Sequence, residues 1–289
     1  FFSVSNSPIN MGGGLDLGQL TPLQNLALGT VSGVGCKMTN YPLLVWKNAT
    51  QQGLPLSMNP AVVYRGLPMA CMNLGGTTAV QFWFTGFFQK MLLGGEKRPL
   101  KSDEEIKAAF MAGLVGGVPC AVWELTMIQQ QRFGGSIISA PKRVIAETGI
   151  MGLTRGMVPC MGREALFTMG MLGLSPVLQK KFKDDFNMEP NSALAAGALL
   201  SSLFAATLSH PMDTIKTCQQ GDANGVKYGS IQATASTLVA EYGAAQGLFK
   251  GLAWRTVLIT TTFFLVNKIK QGIAPIMFPQ VVAAPEAAP

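Results

Sequence analysis

Long apolar segments, each interrupted by glycine and scattered polar residues, dominate the hydrophobic pattern of this 289-residue chain. Interrupted segments of this kind are typical of helices that pack closely and line a polar path, and not of a single membrane anchor. The pattern predicts six helices in three pairs. The first helix of each pair covers about 20–48, 103–131 and 191–217, and the second covers about 68–92, 158–179 and 252–271.

The composition favours lipid as the main solvent. Hydrophobic residues make up 48% of the chain, and only 13% is charged, against about 25% in an ordinary soluble domain. The net charge of +7 lies mainly in the connections between apolar segments, without a basic-aromatic module. We therefore expect membrane lipids with anionic headgroups as partners, and no nucleic acid.

Several kinds of chemistry are disfavoured by the sequence. The five cysteines show neither CxxC nor CxxxC spacing, so we expect reduced thiols and neither a metal site nor a disulfide framework. His210 is the single histidine and is expected to be packed or to line a cavity. We find no paired carboxylates and no Ser-His-Asp set, so the chain is predicted to be no enzyme, with no catalytic residues. The start at Phe1-Phe2, without methionine, indicates a processed or fragmentary N-terminus, with no intact signal or transit peptide.

Internal similarity indicates three repeats. A basic residue followed by glycine recurs at spacings of 90 and 95 residues, and each dipeptide precedes the second helix of a pair. The first helices carry small residues one turn apart and then a proline, as in Gly29-xxx-Gly33 before Pro42 and Gly197-xxx-Ser201 before Pro211. These prolines predict kinks. The predicted domains are 17–98, 99–187 and 188–279, followed by a flexible tail at 280–289.

The middle repeat permits two alignments. Its own proline, Pro119, would give intervals of 77 and 92 residues between the kink positions of the three repeats. Aligning "GVGC" with "GVPC" instead places Thr126 opposite Pro42 and Pro211, with intervals of 84 and 85. We favour Thr126 because the intervals are then equal.

The third repeat, "SHPMDTIKTCQQG", and in part the first, "YPLLVWKNATQQG", resemble the signature of the mitochondrial carrier family. The resemblance covers roughly residues 20–272. It implies an all-α membrane protein with six transmembrane helices in three pseudo-threefold repeats and short amphipathic matrix helices. It also implies a multi-pass location in the mitochondrial inner membrane, and transport of a small-molecule solute by alternating access.

In that family, an acid two residues after each proline pairs with a base five residues after the next one, and the three pairs close the matrix side. The resemblance assigns this matrix gate to Pro42, Lys47, Gln51, Pro211, Asp213 and Lys216. In the favoured alignment only the Asp213–Lys47 pair remains. Leu44 replaces the first acid and faces Gln131, and Ile128 replaces the second and faces Lys216. We therefore expect a weakened gate. The opposite side is expected to lack an ionic latch, because the ends of the even helices carry no acid of the family pattern.

Substrate positions follow from the same resemblance. Counting seven residues past each glycine of the dipeptides gives Asn73, Arg163 and Leu258. Glu164 is a further candidate because it adjoins Arg163, as in carriers of amino acids. Lys37 is a candidate because it lies five residues before Pro42. Glu124 is a candidate because it lies one turn beyond the position equivalent to Lys37. Two bases and two acids would suit a zwitterion. The alternative is that Arg163 pairs with Glu124 or Glu164 and only holds helices together.

The dipeptides also have an implied lipid role. They place backbone N–H groups at helix N-termini, which attract phosphate, and in the family such segments hold cardiolipin. The residues concerned are Arg65, Gly66, Arg155, Gly156, Lys250 and Gly251. No other bound group is expected as a cofactor.

Two functions are compatible with these features. The first is transport of a small charged or amino-acid-like metabolite. The second is a structural role, in which a degenerate carrier is a subunit of a larger inner-membrane complex, such as a respiratory complex. The second rests on the missing gate charges and on the short first matrix segment.

Overall fold

A computed structural model describes residues 20–279 except 97 and 99, so the predicted tail at 280–289 lies outside the described residues. Within this part every regular element is helical. The α-helices are α1 Pro22–Gln52, α2 Pro60–Val63, α3 Leu67–Leu93, α4 Ser102–Phe133, α5 Ser139–Thr148, α6 Met157–Thr168, α7 Ser175–Asp184, α8 Pro190–Gly221, α9 Ile231–Tyr242, α10 Ala244–Leu248 and α11 Leu252–Met277.

Six long helical rods form the body of the described chain, as the hydrophobic pattern predicts. They are α1, α3, α4, α8, α11 and the rod in which a π-helical segment, Met169–Leu174, joins α6 to α7. The shortest of the single helices, α11, has 26 residues and extends about 39 Å at 1.5 Å per residue, which exceeds a hydrocarbon core of about 30 Å. By length and hydropathy together, α4, α8 and the segment Ala244–Met277 qualify as membrane spans among the described residues.

The odd helices α1, α4 and α8 form the inner contacts of the bundle. Helix α8 packs against both α1 and α4, while α1 also contacts α3 and α11, and α4 also contacts α3 and α6. Each odd helix continues unbroken through its internal proline, at Pro42, Pro119 and Pro211. The C-terminal halves of these three helices are more buried than their N-terminal halves, so the odd helices converge at that end.

One contact, made by the glycine at the start of each even helix, recurs in all three repeats. Gly66, Gly156 and Gly251 cap the N-termini of α3, α6 and α11 with φ of 82°, 71° and 84°. A Cβ placed on them would lie 3.1, 3.2 and 3.3 Å from the main-chain oxygens of Met127, Lys216 and Lys47, respectively. Glycine is therefore required by both backbone conformation and space. Each even helix thus starts against the odd helix of the next repeat.

This recurring contact corrects the alignment of the middle repeat. Lys47 and Lys216, which make this contact, each lie five residues after the proline of their helix. Met127 makes the same contact in the middle repeat, so Val122, five residues before it, is the position equivalent to those prolines. The favoured alignment on Thr126 is wrong, and so is the alternative on Pro119. The intervals from Pro42 to Val122 to Pro211 are 80 and 89 residues, so the repeats are less equal in length than we expected.

Small residues let α4 approach α6 closely. A Cβ on Gly113 would lie 2.5 Å from the Cα of Ala165, and one on Gly117 would lie 2.5 Å from the Cα of Met161. These distances leave no room for a side chain, so the small residues spaced one turn apart serve the backbone contact that the sequence predicts. The close crossing fixes Arg163, on α6, beside α4.

Candidate functional site: a buried ion network below a cavity

The predicted pair between the last and the first odd helix is present. Lys47 Nζ lies 2.6 Å from Asp213 Oδ2, and Gln51 Nε2 donates to the same oxygen at 2.8 Å. All three side chains are buried. Because solvent screening is small in such a setting, this pair joins α1 to α8 more strongly than an exposed ion pair would.

A second ion pair joins α4 to α8, which the sequence prediction missed. Lys216 Nζ lies 2.8 Å from Glu124 Oε2 and 3.2 Å from Asp213 Oδ1. Ile128, predicted to face Lys216, instead lies fully buried in an apolar cluster with Tyr41 and Met127. In the corrected alignment Glu124 stands two residues after Val122, which is the position of the family's acid. The expectation that Ile128 faces Lys216 is therefore wrong, and Glu124, predicted to bind substrate, contacts Lys216 and Arg163 in the conformation described.

The contact between α1 and α4 is partly apolar and partly polar. Leu44 packs against the cluster that contains Tyr41 and Met127, and Met127 is the residue that replaces the base in the corrected alignment. One turn beyond Leu44, Asn48 Nδ2 donates to Gln131 Oε1 at 2.8 Å, and Gln131 Nε2 donates to Tyr41 Oη at 2.9 Å. Gln131 thus faces Asn48 and not, as predicted, Leu44. The three odd helices are joined pairwise by two ion pairs and this mixed contact.

Arg163 extends the network beyond the contacts between the odd helices. Its Nη2 lies 2.9 Å from Glu124 Oε2 and also contacts the carboxylate of Glu164. Gln81, on α3, donates to Glu164 as well. The structural alternative for Arg163, pairing with acids of the same cavity, is the arrangement that the structure contains.

Cys120, Glu124 and Cys160 place their ligand atoms within 4.8 Å of one another, which is the spacing of a potential metal site. Arg163 Nη2 lies among them, 3.3 Å from Cys120 Sγ and 3.8 Å from Cys160 Sγ. A guanidinium nitrogen therefore occupies the space in which a cation would bind. All five cysteines are free thiols in the structure.

Arg255, on α11, belongs to the same network and was missed by the sequence reasoning. Its side chain is 6% exposed, with Nη2 2.8 Å from Ser209 Oγ and Nη1 3.7 Å from Asp213 Oδ2. The available signal was a lone arginine inside the otherwise apolar segment "GLAWRTVLI". An ionisable residue in a membrane helix is costly and is by default a functional candidate.

A cavity of about 40 Å³ lies between α1, α3 and α11. Its lining residues are Gly33, Cys36, Lys37, Asn40, Leu74, Thr262 and Val266. Lys37 has no carboxylate within 4.0 Å among the described residues, so its ammonium is the cation of this cavity without an ion pair. Asn73 accepts from Thr77 at 2.8 Å, and the Leu258 carbonyl accepts from Thr262 at 2.6 Å. Of the predicted substrate residues, Lys37 alone lines this cavity.

The residues of the predicted lipid sites have different surroundings. Arg65 is exposed, Arg155 donates to the carbonyl of Tyr228, and Lys250 Nζ lies 3.6 Å from the ring centroid of Tyr242. His210 is fully buried, and its Nε2 lies 3.0 Å from the Lys250 carbonyl oxygen. The packed role predicted for His210 is confirmed.

A six-helix apolar bundle with threefold repeats and a buried ion network defines a polytopic membrane protein with a polar centre. The sequence model described as mitochondrial carrier protein matches residues 187–273. The chain is 30% identical over 131 residues to mitochondrial substrate carrier family protein ucpB of Dictyostelium discoideum, covering 44% of each protein. It is 24% identical over 255 residues to family protein S of that organism, covering 79% of this chain and 88% of the relative. It is 23% identical over 267 residues to the mitochondrial carnitine carrier of Saccharomyces cerevisiae, covering 80% of each.

Residues 187–273 match the mitochondrial carrier family, and the chain is similar at low identity to several proteins of that family. This similarity and the helices that qualify as spans are in agreement with the predicted multi-pass location in the mitochondrial inner membrane. The match to the ucpB relative spans less than half of that protein, whereas the match to family protein S spans most of it.

Proposed function

We propose that the chain is a carrier-type transporter that moves a small charged or amino-acid-like metabolite by alternating access. The observation that carries the proposal is the arrangement of one unpaired ammonium, Lys37, in a cavity above a buried ion network. An ammonium group without a counter-ion on a membrane-spanning helix is costly, and a solute with an anionic group would supply one. The name of the yeast relative, a carnitine carrier, is consistent with a charged solute.

The gate that this function needs is more complete than the sequence suggests. Two buried ion pairs, Asp213–Lys47 and Glu124–Lys216, and the contact of α1 with α4 join the odd helices at one end. These contacts must break when that end opens. The structural-subunit hypothesis rested partly on the expectation of a gate with a single ion pair. The second pair, Glu124–Lys216, weakens that argument.

Uptake into proteoliposomes tests the proposal. Purified full-length protein would be reconstituted and loaded with unlabelled carboxylates, amino acids, carnitine or nucleotides, and exchange of each labelled solute would be followed. We expect saturable exchange of at least one charged solute, weakened by Lys37→Gln and retained by Lys90→Gln, at an exposed position near the end of α3. Absence of any exchange by correctly inserted protein would refute transport, and recovery as a stoichiometric member of a larger complex would then favour the structural role.

The lipid role is part of the same proposal. We infer that cardiolipin binds at the N-termini of α3, α6 and α11, because helix N-termini attract phosphate and the basic Arg65 beside the first of them is exposed. Native mass spectrometry of the purified protein with added cardiolipin tests this inference. Retention of cardiolipin no better than of phosphatidylcholine would contradict it.

A further inference from the structure

Two cysteines face each other across the close contact of α4 with α6. The backbones touch there, since a Cβ on Gly117 would lie 2.5 Å from Met161 Cα. Cys120 follows Gly117 by three residues, close to one turn of α4, and Cys160 directly precedes Met161 on α6. The two sulphur atoms lie within 4.8 Å of each other. Disulfides join cysteines on backbones that approach closely, with Cα atoms about 4–7 Å apart, so this crossing suits a disulfide.

Each thiol has a proton acceptor and a cation beside it. Cys120 Sγ donates to Glu164 Oε1 at 3.6 Å, and Cys160 Sγ donates to Glu124 Oε2 at 3.6 Å. Arg163 Nη2 lies 3.3 Å from Cys120 Sγ and 3.8 Å from Cys160 Sγ. Its positive charge stabilises the negative charge that a sulphur carries when it attacks an oxidant. Cys120, which is nearer to the guanidinium, is therefore the better placed nucleophile.

The pair is enclosed, but charged side chains lead to it. Cys120 and Cys160 are 1% and 0% exposed, whereas the side chains of Arg163 and Glu124 keep 12% and 10% of their exposure. Because both of these side chains contact a sulphur atom, a reagent about as small as water can follow them to the thiols. Hydrogen peroxide is small enough for this path, and bulky oxidants are not.

We propose that Cys120 and Cys160 are a redox modification site, at which a hydroperoxide oxidises both thiols to a reversible disulfide. The Cys120 sulphur attacks hydrogen peroxide, so that an S–O bond forms, the O–O bond breaks, and the leaving hydroxide takes the Cys120 proton as water. Cys160 then attacks the sulfenic sulphur, so that the S–S bond forms, the S–O bond breaks, and the second hydroxide leaves as water with the Cys160 proton. The two thiols lose two electrons, and one peroxide is reduced to two water molecules.

The disulfide ties α4 to α6 and closes the chain segment that contains α5. It also removes the thiol donors of Glu164 and Glu124. Both cysteines lie in the predicted middle repeat, so the tether acts within one repeat and not between the odd helices. The free thiols of the structure are the reduced form of the pair, and reversible disulfides in reducing compartments are typically redox-sensing. The site goes beyond the proposed transport function and does not depend on it.

Peptide mapping of the full-length protein in liposomes tests the site. The protein would be treated with hydrogen peroxide, quenched in acid, denatured, alkylated with iodoacetamide and digested without reduction. We expect Cys120 and Cys160 to lose alkylation together and in equal amounts, and to appear in one linked peptide pair that dithiothreitol separates. Cys71, on α3, should stay alkylated.

Serine variants assign the two roles. Cys120→Ser and Cys160→Ser should each abolish the linked pair, and the matched control Cys71→Ser should leave it unchanged. In Cys160→Ser the sulfenic acid of Cys120 has no second thiol to meet, so it should accumulate and be trapped by dimedone.

The map of the wild type decides the matter even if a variant does not fold. Full alkylation of Cys120 and Cys160 after peroxide treatment, or links of either one to another cysteine or to a second molecule, would overturn the site. Sulfinic acid at Cys120 without a link to Cys160 would also overturn it. Absence of solute exchange in the same liposomes would count against transport and would leave the linked pair unaffected, so the two proposals can fail separately.

Discussion

The ion pair between Glu124 and Lys216 gives the sharpest test of the corrected alignment. Glu124 is 8% exposed, and its Oε2 lies 2.8 Å from Lys216 Nζ and 2.9 Å from Arg163 Nη2. Glu124→Gln removes one charge and leaves two buried cations short of an acceptor. Loss of one partner of a buried pair costs about 3–5 kcal/mol. At about 2 °C per kcal/mol for a chain of this size, the melting temperature should fall by roughly 6–10 °C.

The assay is thermal unfolding of Glu124→Gln, Lys216→Gln and the double variant in detergent. The double variant should be less destabilised than the sum of the singles, by about 1 kcal/mol or more, because the two residues contact each other. Asp103→Asn, which breaks an exposed pair with Lys107 on the same helix, should leave the melting temperature nearly unchanged. Strict additivity, or a loss in Glu124→Gln no larger than in Asp103→Asn, would refute the pairing.

Three further predictions concern packing, the glycine caps and the cavity. Gly117→Ala should destabilise the protein by about 1–3 kcal/mol, because its Cβ would lie 2.5 Å from Met161 Cα. The control Gly75→Ala, in open space, should be neutral or stabilise by about 0.4–1 kcal/mol. Equal melting temperatures of the two variants would contradict the close helix crossing. Gly251→Ala should cost about 1–2 kcal/mol, since its φ is 84°, and a fully stable variant would argue against this capping geometry. Lys37→Gln should raise the Km for the exchanged solute without lowering the melting temperature of the free protein, and an unchanged Km would remove Lys37 from the binding site.

Much of the architecture was accessible from the sequence. The hydrophobic pattern and the recurring basic-glycine dipeptides located the six long helices within six residues of their observed ends. They also indicated the Asp213–Lys47 contact, because Pro42 and Pro211 fix the same position in two repeats. Where a repeat retains its proline, sequence spacing alone identifies the partner residues.

The middle repeat could not be aligned in this way, because it has valine at the equivalent position. Equal spacing favoured Thr126, but the real intervals differ by nine residues, and spacing is only as regular as the loops between the helices. The contact of Gly66 with the Met127 carbonyl, which settles the alignment, is a property of packing and is invisible in one sequence. Glu124 was the available clue, because an alignment on Val122 places this acid two residues after the proline-equivalent position, as the family signature requires.

The charge balance of the centre was also beyond the sequence. Arg163, Glu164 and Glu124 were each identified as candidates, but whether they face a solute or one another depends on side-chain contacts. The family spacing from Gly251 leads to Leu258, one turn beyond Arg255 on α11, and so does not single out Arg255.

Cross-linking across the contact of α1 with α4 tests the central claim most directly, namely that the odd helices converge at a gate that opens during transport. Cysteines at positions 48 and 131, in a background with the five native cysteines replaced, would be joined by a short reducible bis-thiosulfonate reagent. Asn48 Nδ2 and Gln131 Oε1 are 2.8 Å apart, so the account predicts efficient intramolecular cross-linking, arrest of solute exchange and recovery on reduction. Failure to cross-link, or full exchange by the cross-linked protein, would contradict it.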